Sequence, residues 1–83
     1  MELKQEFENA VAKSQSLPNQ PNDNLLRIYS LYKQATEGDV NIDKPSNPFD
    51  IKGNAKYAAW ESLKGMSKEE AMKEYIDFVN KLS

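Results

Sequence analysis

The sequence predicts an all-α fold, one bundle of four helices, on three observations. Apolar residues recur at helical spacing in four separate segments, and Pro, Gly, Asn and Asp gather between those segments. No stretch alternates apolar with polar residues at period two, as a half-buried strand would, and no internal repeat is visible. The chain of 83 residues reads as a single domain over 1–83. Two domains would leave neither with enough apolar surface to offset about 1–2 kcal/mol of backbone entropy per ordered residue.

Leu3, Phe7, Ala10 and Val11 stand at i, i+4, i+7 and i+8, which predicts an amphipathic first helix from about Glu2 to Gln15. Pro18 and Pro21, set among Ser and Asn, then force an extended or turning connection, and Asn22 or Asp23 is placed to cap the next helix. Leu25, Leu26, Ile28, Tyr29, Tyr32 and Ala35 form a wide apolar and aromatic stripe on this second helix, from about Asp23 to Glu37. Gly38 is suited to leave it through a positive φ. From Gly38 to Phe49 there is no sustained period and there are two more prolines, so this is the one long loop. It is expected to pack through Val40, Ile42 and Phe49, to serve a function, or both.

Asp50 can cap a third helix that carries Ile51, Ala55, Ala58, Ala59, Trp60 and Leu63 and stops at Gly65. Ser67-Lys68-Glu69-Glu70 reads as a capping box, with Met66 placed to staple onto Ala71. The fourth helix turns Ala71, Met72, Tyr75, Ile76, Val79 and Leu82 to one face and runs almost to the end of the sequence. Phe7, Trp60, Leu63, Met72, Ile76 and Val79 are the expected core.

Composition excludes several function classes. With neither Cys nor His there is no disulfide framework, no zinc finger and no Ser-His or Cys-His nucleophile pair. Carboxylate chemistry alone would remain, yet no pair of acids stands on an apolar face, and Glu70 already has a capping role, so an enzyme is the least favoured reading. Eleven basic and thirteen acidic residues give a net charge of -2, which opposes wrapping a nucleic-acid backbone. No apolar run approaches the roughly 20 residues of a membrane span, and the charged N-terminus lacks the apolar stretch of a signal peptide. The expectation is a soluble cytoplasmic monomer without cofactor, metal or stable membrane insertion.

Local charge is more informative than the total. Between Asn24 and Thr36 the only charges are Arg27 and Lys33, and between Ile51 and Trp60 they are Lys52 and Lys56. Two basic windows in an acidic chain suit a compact anionic ligand better than a polymer, although lysines on exposed helix faces would read the same. In the first window Tyr29, Tyr32 and Lys33 stand at i, i+3 and i+4, so two hydroxyls and an ammonium can converge on one helix patch. A phenol can donate to a phosphate oxygen, an aromatic face can take a purine, and Lys supplies a compact positive charge. Half-buried tyrosines with their hydroxyls in water would give the same pattern. Lys52 and Lys56, at i and i+4, repel each other in a bare helix and would be stabilised by a polyanion.

Taken together, these pieces resemble the acyl-CoA-binding protein family. The resemblance rests on Ile28-Tyr-Ser-Leu-Tyr-Lys-Gln-Ala-Thr36 with Gly38-Asp39, then Lys44-Pro45, Phe49-Asp50, Lys52-Gly53, Ala55-Lys56 and Ala59-Trp60. It continues through Leu63-Lys64-Gly65, Ser67-Lys68-Glu69, Ala71-Met72 and Tyr75-Ile76, so it spans almost the whole chain. It implies an up-down-down-up bundle that binds medium- and long-chain acyl-CoA thioesters as an intracellular carrier and pool former, with no catalysis. By the same resemblance, ligand contacts fall along Tyr29, Ser30, Leu31, Tyr32 and Lys33, on Lys52 and Lys56, and on Tyr75, which would close the site from the fourth helix. The 3′-phosphate of CoA would meet Tyr29, Lys33 and Lys56, and Tyr32 would help to hold the adenine. The acyl chain is expected in a groove lined by the first and second helices, with Val11, Leu25 and Leu26 as candidates and Gln15 at the rim.

Departures from the family pattern are Gln15, where a lysine is frequent, Tyr57 for the more usual Trp, and Asn54 for a common Lys or Arg. The loop carries one extra residue within Pro45-Ser-Asn-Pro-Phe49, and the linker before the second helix is one shorter. A helical protein-interaction module on the same bundle is the rival reading.

Overall fold

A computed structural model describes residues 2–83. Four helices account for its regular structure: α1 (Leu3–Ser14), α2 (Asn22–Glu37), α3 (Ile51–Glu61) and α4 (Lys68–Leu82), with no strand among the described residues. α1 is one residue shorter at each end than its spacing predicts. α2 begins at Asn22, directly after Pro21 as N-cap, and no side chain caps it, so neither Asn22 nor Asp23 takes the expected capping role. Both already lie within the first turn, where the orphan amides point away from them.

The other ends follow the local chemistry. Asp50 accepts from the Gly53 amide at 3.1 Å and Ser67 from the Glu70 amide at 3.0 Å, as N-caps should. Gly38 ends α2 at φ 82°, where a Cβ would be strained. α3 stops at Glu61, and hydrogen-bonded turns carry the chain to Gly65 at φ 95°.

Specific contacts give the course of the chain. Lys4, Phe7, Glu8 and Val11 at the start of α1 share a hollow with Lys68 and Met72 at the start of α4. Lys13 near the end of α1 donates to Asn80 near the end of α4 at 3.0 Å, so these helices run parallel. Gln34 at the end of α2 reaches the Met66 carbonyl just before α4, while Arg27 pairs with Glu74 further along it, so α2 runs against α4. Leu25 and Leu26 face Ile51 and Lys52, and Lys33 lies over Trp60, so α2 and α3 run parallel. The bundle is up-down-down-up.

This topology explains the loop. Parallel neighbours cannot be joined by a tight turn, and residues 38–50 must return along a helix of 16 residues, or about 24 Å at 1.5 Å per residue. Apolar packing does not hold it: Val40 is half-buried, but Ile42 is 53% and Phe49 87% exposed. Instead Asp39 anchors one end, accepting from Gln34 and from the Gly65 amide, and Asn54 anchors the other by donating to the carbonyls of Asn47 and Asp50.

The core is built on α4, which packs on both α1 and α2, while α3 packs on α2. Phe7, Ala10, Leu31, Ala35, Ala71, Tyr75 and Val79 are buried in one cluster, and Leu63, Met66, Met72 and Ile76 pack against it half-buried. Trp60 is fully buried and donates its indole N–H to the Gly38 carbonyl at 2.9 Å, joining α3 to the end of α2.

Candidate functional site

α2 turns two different faces to the outside of the core. Leu25, Leu26 and Tyr29 face α3, where with Ile51, Lys52, Ala55 and Lys56 they line a cleft of about 460 Å³. Helical spacing produces the matching wall: Ile51 and Ala55, at i and i+4, supply apolar surface, and Lys52 and Lys56, one residue on, stand at its edge. Leu25 is 50% exposed and Ile51 78%, so the apolar wall is open to solvent. Neither Lys52 nor Lys56 is paired with a carboxylate among the described residues.

Lys56 places its ammonium 5.3 Å from the centre of the Tyr29 ring, and Lys33 lies 5.1 Å from the Trp60 ring, both within cation–π range. Tyr29 and Lys56 thus meet at the wall of the α2–α3 cleft, and Lys33 stands one turn further along α2, over Trp60 of α3. Lys33 also holds the Glu37 carboxylate at 2.6 Å. That hydrogen bond holds the ammonium above its ordinary range, against partial desolvation, with smaller support from the charge of Glu37 and from Tyr29 and Tyr32. It holds the Glu37 carboxyl below its ordinary range, aided by Asn41.

Tyr32 turns to the other face of α2. It stacks on Phe7 at 6.0 Å and shares a hollow of about 480 Å³ with Phe7 and Val11 of α1 and Lys68 and Met72 of α4. Three residues along a helix place Tyr32 about 60° around from Tyr29, enough to divide them between neighbouring faces, while Lys33 lies about 40° to the other side of Tyr29, toward Trp60 of α3. Tyr29 and Lys33 thus share the side of α2 that faces α3, and Tyr32 stands on the side that faces α1 and α4.

Several expected contacts take other roles in this structure. Ser30 and Leu31 are 3% and 0% exposed: Leu31 is core, and the Ser30 hydroxyl donates to the Arg27 carbonyl, because these two residues lie on the face of α2 that meets α4. Tyr75 is 2% exposed, packs edge-on against Phe7 at 5.1 Å and donates its hydroxyl to Ser14 at 2.9 Å. Burial pushes the phenol up, the Ser14 hydrogen bond offsets part of this, and Tyr32 adds a little. The Tyr75 ring also lies 6.4 Å from that of Tyr32, in a tilted arrangement. Val11 lies in the Tyr32 hollow, apart from Leu25 and Leu26, because α1 packs mainly on α4 and meets α2 through Phe7 and Tyr32, on the face away from α3. The candidate groove residues therefore fall in two hollows, Leu25 and Leu26 in the cleft between α2 and α3 and Val11 in the hollow that α1 and α2 share with α4. Gln15 is exposed at the C-cap of α1, and the nearby Lys13 is engaged with Asn80 away from the cluster.

Sequence reasoning missed Ile51 and Ala55 as cleft residues and Glu37 as the partner of Lys33, although the i, i+4 spacing of the last pair was a readable signal. A larger hollow of about 690 Å³ lies between the loop and α3, lined by Lys44, Pro45, Tyr57 and Glu61 among others. It holds none of Tyr29, Tyr32, Lys33, Lys52 or Lys56, and greater volume does not make it the better candidate. The described residues hold no group of His, Cys, Asp and Glu suited to a metal ion, and no helix long and apolar enough to cross a membrane.

The model of the acyl CoA binding protein family matches residues 4–79. This chain belongs to the acyl-CoA-binding protein family. It is 47% identical to the acyl-CoA-binding protein of Gossypium hirsutum over 83 residues, covering 99% of this chain and 92% of that one. It is 46% identical to acyl-CoA-binding protein homolog 1 of Caenorhabditis elegans over 77 residues, 92% of this chain and 88% of that one. Among solved structures, acyl-CoA-binding protein 2 of Oryza sativa superposes with a TM-score of 0.93 at 43% identity, covering 98% of this chain and 90% of that one. The corresponding protein of Moniliophthora perniciosa superposes with a TM-score of 0.89 at 40% identity, over 99% and 80% of the two chains. The acyl-CoA-binding protein family consists of binding proteins rather than enzymes, which agrees with the reading from composition.

Proposed function

We propose that this chain is a cytoplasmic, monomeric carrier of medium- and long-chain acyl-CoA thioesters, with the CoA head at the Tyr29, Lys33 and Lys56 cluster and the acyl chain along the α2–α3 cleft. The observation that carries the reading is the junction of the two: an apolar channel of Leu25, Leu26, Ile51 and Ala55 runs beside Lys52 to Tyr29 and Lys56, with Lys33 one helical turn beyond Tyr29. A ligand with a polyanionic head and a long apolar tail matches that sequence of surfaces. The 3′-phosphate is assigned to Lys33 and Lys56 around Tyr29, and the adenine to the neighbourhood of Tyr32.

Magnitudes divide the work. Charge-assisted hydrogen bonds of about 1.5–3 kcal/mol each hold the head. Burial at about 0.8 kcal/mol per CH₂ gives about 6 kcal/mol for half of a sixteen-carbon chain, so the tail sets the affinity and the head the class of ligand. Calorimetric titration with palmitoyl-CoA, CoA and dephospho-CoA tests both assignments. Palmitoyl-CoA should bind far more tightly than CoA. Lys33→Ala and Lys56→Ala should each weaken CoA and palmitoyl-CoA about tenfold or more while leaving dephospho-CoA nearly unchanged. Equal affinity for CoA and palmitoyl-CoA would refute the tail groove, and equal losses for CoA and dephospho-CoA would refute the phosphate site.

A further inference from the structure

We infer that Glu37 is a built-in competitor for the ligand's phosphate: in the free protein its carboxylate occupies the Lys33 ammonium, and binding of the anionic head must displace it. The inference rests on the assignment of Lys33 to the phosphate site.

Three observations carry it. The Glu37 carboxylate lies 2.6 Å from the Lys33 Nζ, so the cation assigned to the ligand is already paired within its own helix. The pairing is held from a second side, because the Asn41 amide in the loop donates to the other Glu37 oxygen at 3.3 Å. Glu37 also stands where the helix itself gains little from it. It is the last residue of α2, where the negative end of the helix dipole disfavours an acid, and no basic residue accompanies it among the last-turn positions. Lys33 preceding Glu37 is in addition the weaker order for an i, i+4 pair.

Lys33 does not depend on Glu37 for its position. Its ammonium lies over the Trp60 ring at 5.1 Å, and Trp60 is fixed by full burial and by its hydrogen bond to the Gly38 carbonyl. With Glu37 neutralised, the cation stays over the indole and is open to a new anion. A phosphate monoester carries a charge of about -1.5 to -2 near neutral pH, so a carboxylate on the same ammonium both occupies a donor and repels the incoming group. Lys56, set against Tyr29 with no acidic partner among the described residues, is the unblocked half of the cluster. Glu37 therefore lowers affinity for the head without touching the tail groove, which favours release.

The test is calorimetric titration of CoA and dephospho-CoA into the full chain as wild type, Glu37→Gln, Lys33→Ala and the double variant. Glu37→Gln keeps a side-chain oxygen for Asn41 and should tighten CoA about three- to fivefold, with a much smaller gain for dephospho-CoA. Glu37→Ala, which suits a helix terminus by propensity, should gain alike. In the Lys33→Ala background the gain from Glu37→Gln should vanish. Glu37 variants with wild-type affinity for CoA, while Lys33→Ala weakens it, would overturn the inference and leave the phosphate site standing. An equal gain with and without Lys33 would also overturn it, since Glu37 would then act as a distant charge. Wild-type affinity in Lys33→Ala would instead refute the site assignment beneath it.

Discussion

Gln34 shows how much a single side chain can carry that its sequence position does not announce. It is fully buried at the end of α2, and its Nε2 donates to the Met66 carbonyl at 2.8 Å and to the Asp39 carboxylate at 2.9 Å. Both neighbours are acceptors, so the amide must turn its nitrogen to them, and Oε1 is left without a partner among the described residues. One orphaned acceptor is tolerated because the two bonds join α2, the loop and the start of α4. Gln34→Ala should cost about 2–4 kcal/mol in urea unfolding, combining a cavity with the loss of the donor to the part-buried Met66 carbonyl and to Asp39. A loss below about 0.5 kcal/mol would show that the junction is held by packing alone. From the sequence, Gln34 was only a member of the Tyr-Lys-Gln-Ala-Thr stretch, because nothing in a polar residue beside a lysine signals burial.

At the scale of elements, the four helices differ in how their ends are made, and this decides which changes matter. α2 starts without a side-chain cap, whereas α3 and α4 start on Asp50 and Ser67. The Asp50 cap also explains the glycine of the Lys52-Gly53 pair: a Cβ at Gly53 would collide with the Asp50 carboxylate that its amide binds. α4 is the helix on which α1 and α2 both pack, so fraying at its start loosens the core directly. Ser67→Ala should lower global stability by about 1 kcal/mol, and Ser67→Asp should restore most of it, read as shifts in the urea midpoint at constant slope. No shift with Ala would mean that α4 is held by its buried face alone. These caps were legible in the sequence because capping is local. The start of α2 was misread because Asn and Asp after a proline serve equally well inside a first turn.

For the molecule as a whole, the parallel course of α2 and α3 makes the loop long, and Asp39 fastens that loop to the bundle. The Gly65 amide, and then the Gln34 amide, hold its carboxyl below the ordinary range, with Lys64 contributing less and desolvation opposing. A depressed carboxyl stabilises the fold fully above its unfolded value, near pH 4, and the contribution fades as the pH falls through the lower folded value. Asp39→Ala should therefore reduce Tm at about pH 6, and the gap to wild type should shrink as the pH drops from about 4 to 2. Thermal unfolding at several pH values reads this, and a gap that stays constant over the range would exclude the Asp39 charge as its origin. The same topology separates Val11 from Leu25 and Leu26. Their shared apolar character suggested one groove, but only the stacking of α1 on α4 shows that two surfaces are involved.

The sequence alone determined the helices, most of their caps, the buried Phe7, Trp60 and Val79, and the family, because periodicity, capping chemistry and the Tyr and Lys pattern are each written within a few residues. Only the tertiary structure decided which face of each helix meets which neighbour. It divided Val11 from Leu25 and Leu26 between two hollows, buried Ser30, Leu31 and Tyr75, and filled the acid-free window around Lys33 with Glu37 from just beyond its edge. The reason is geometric: helical spacing defines faces, but the partner of each face depends on contacts between residues far apart in the chain.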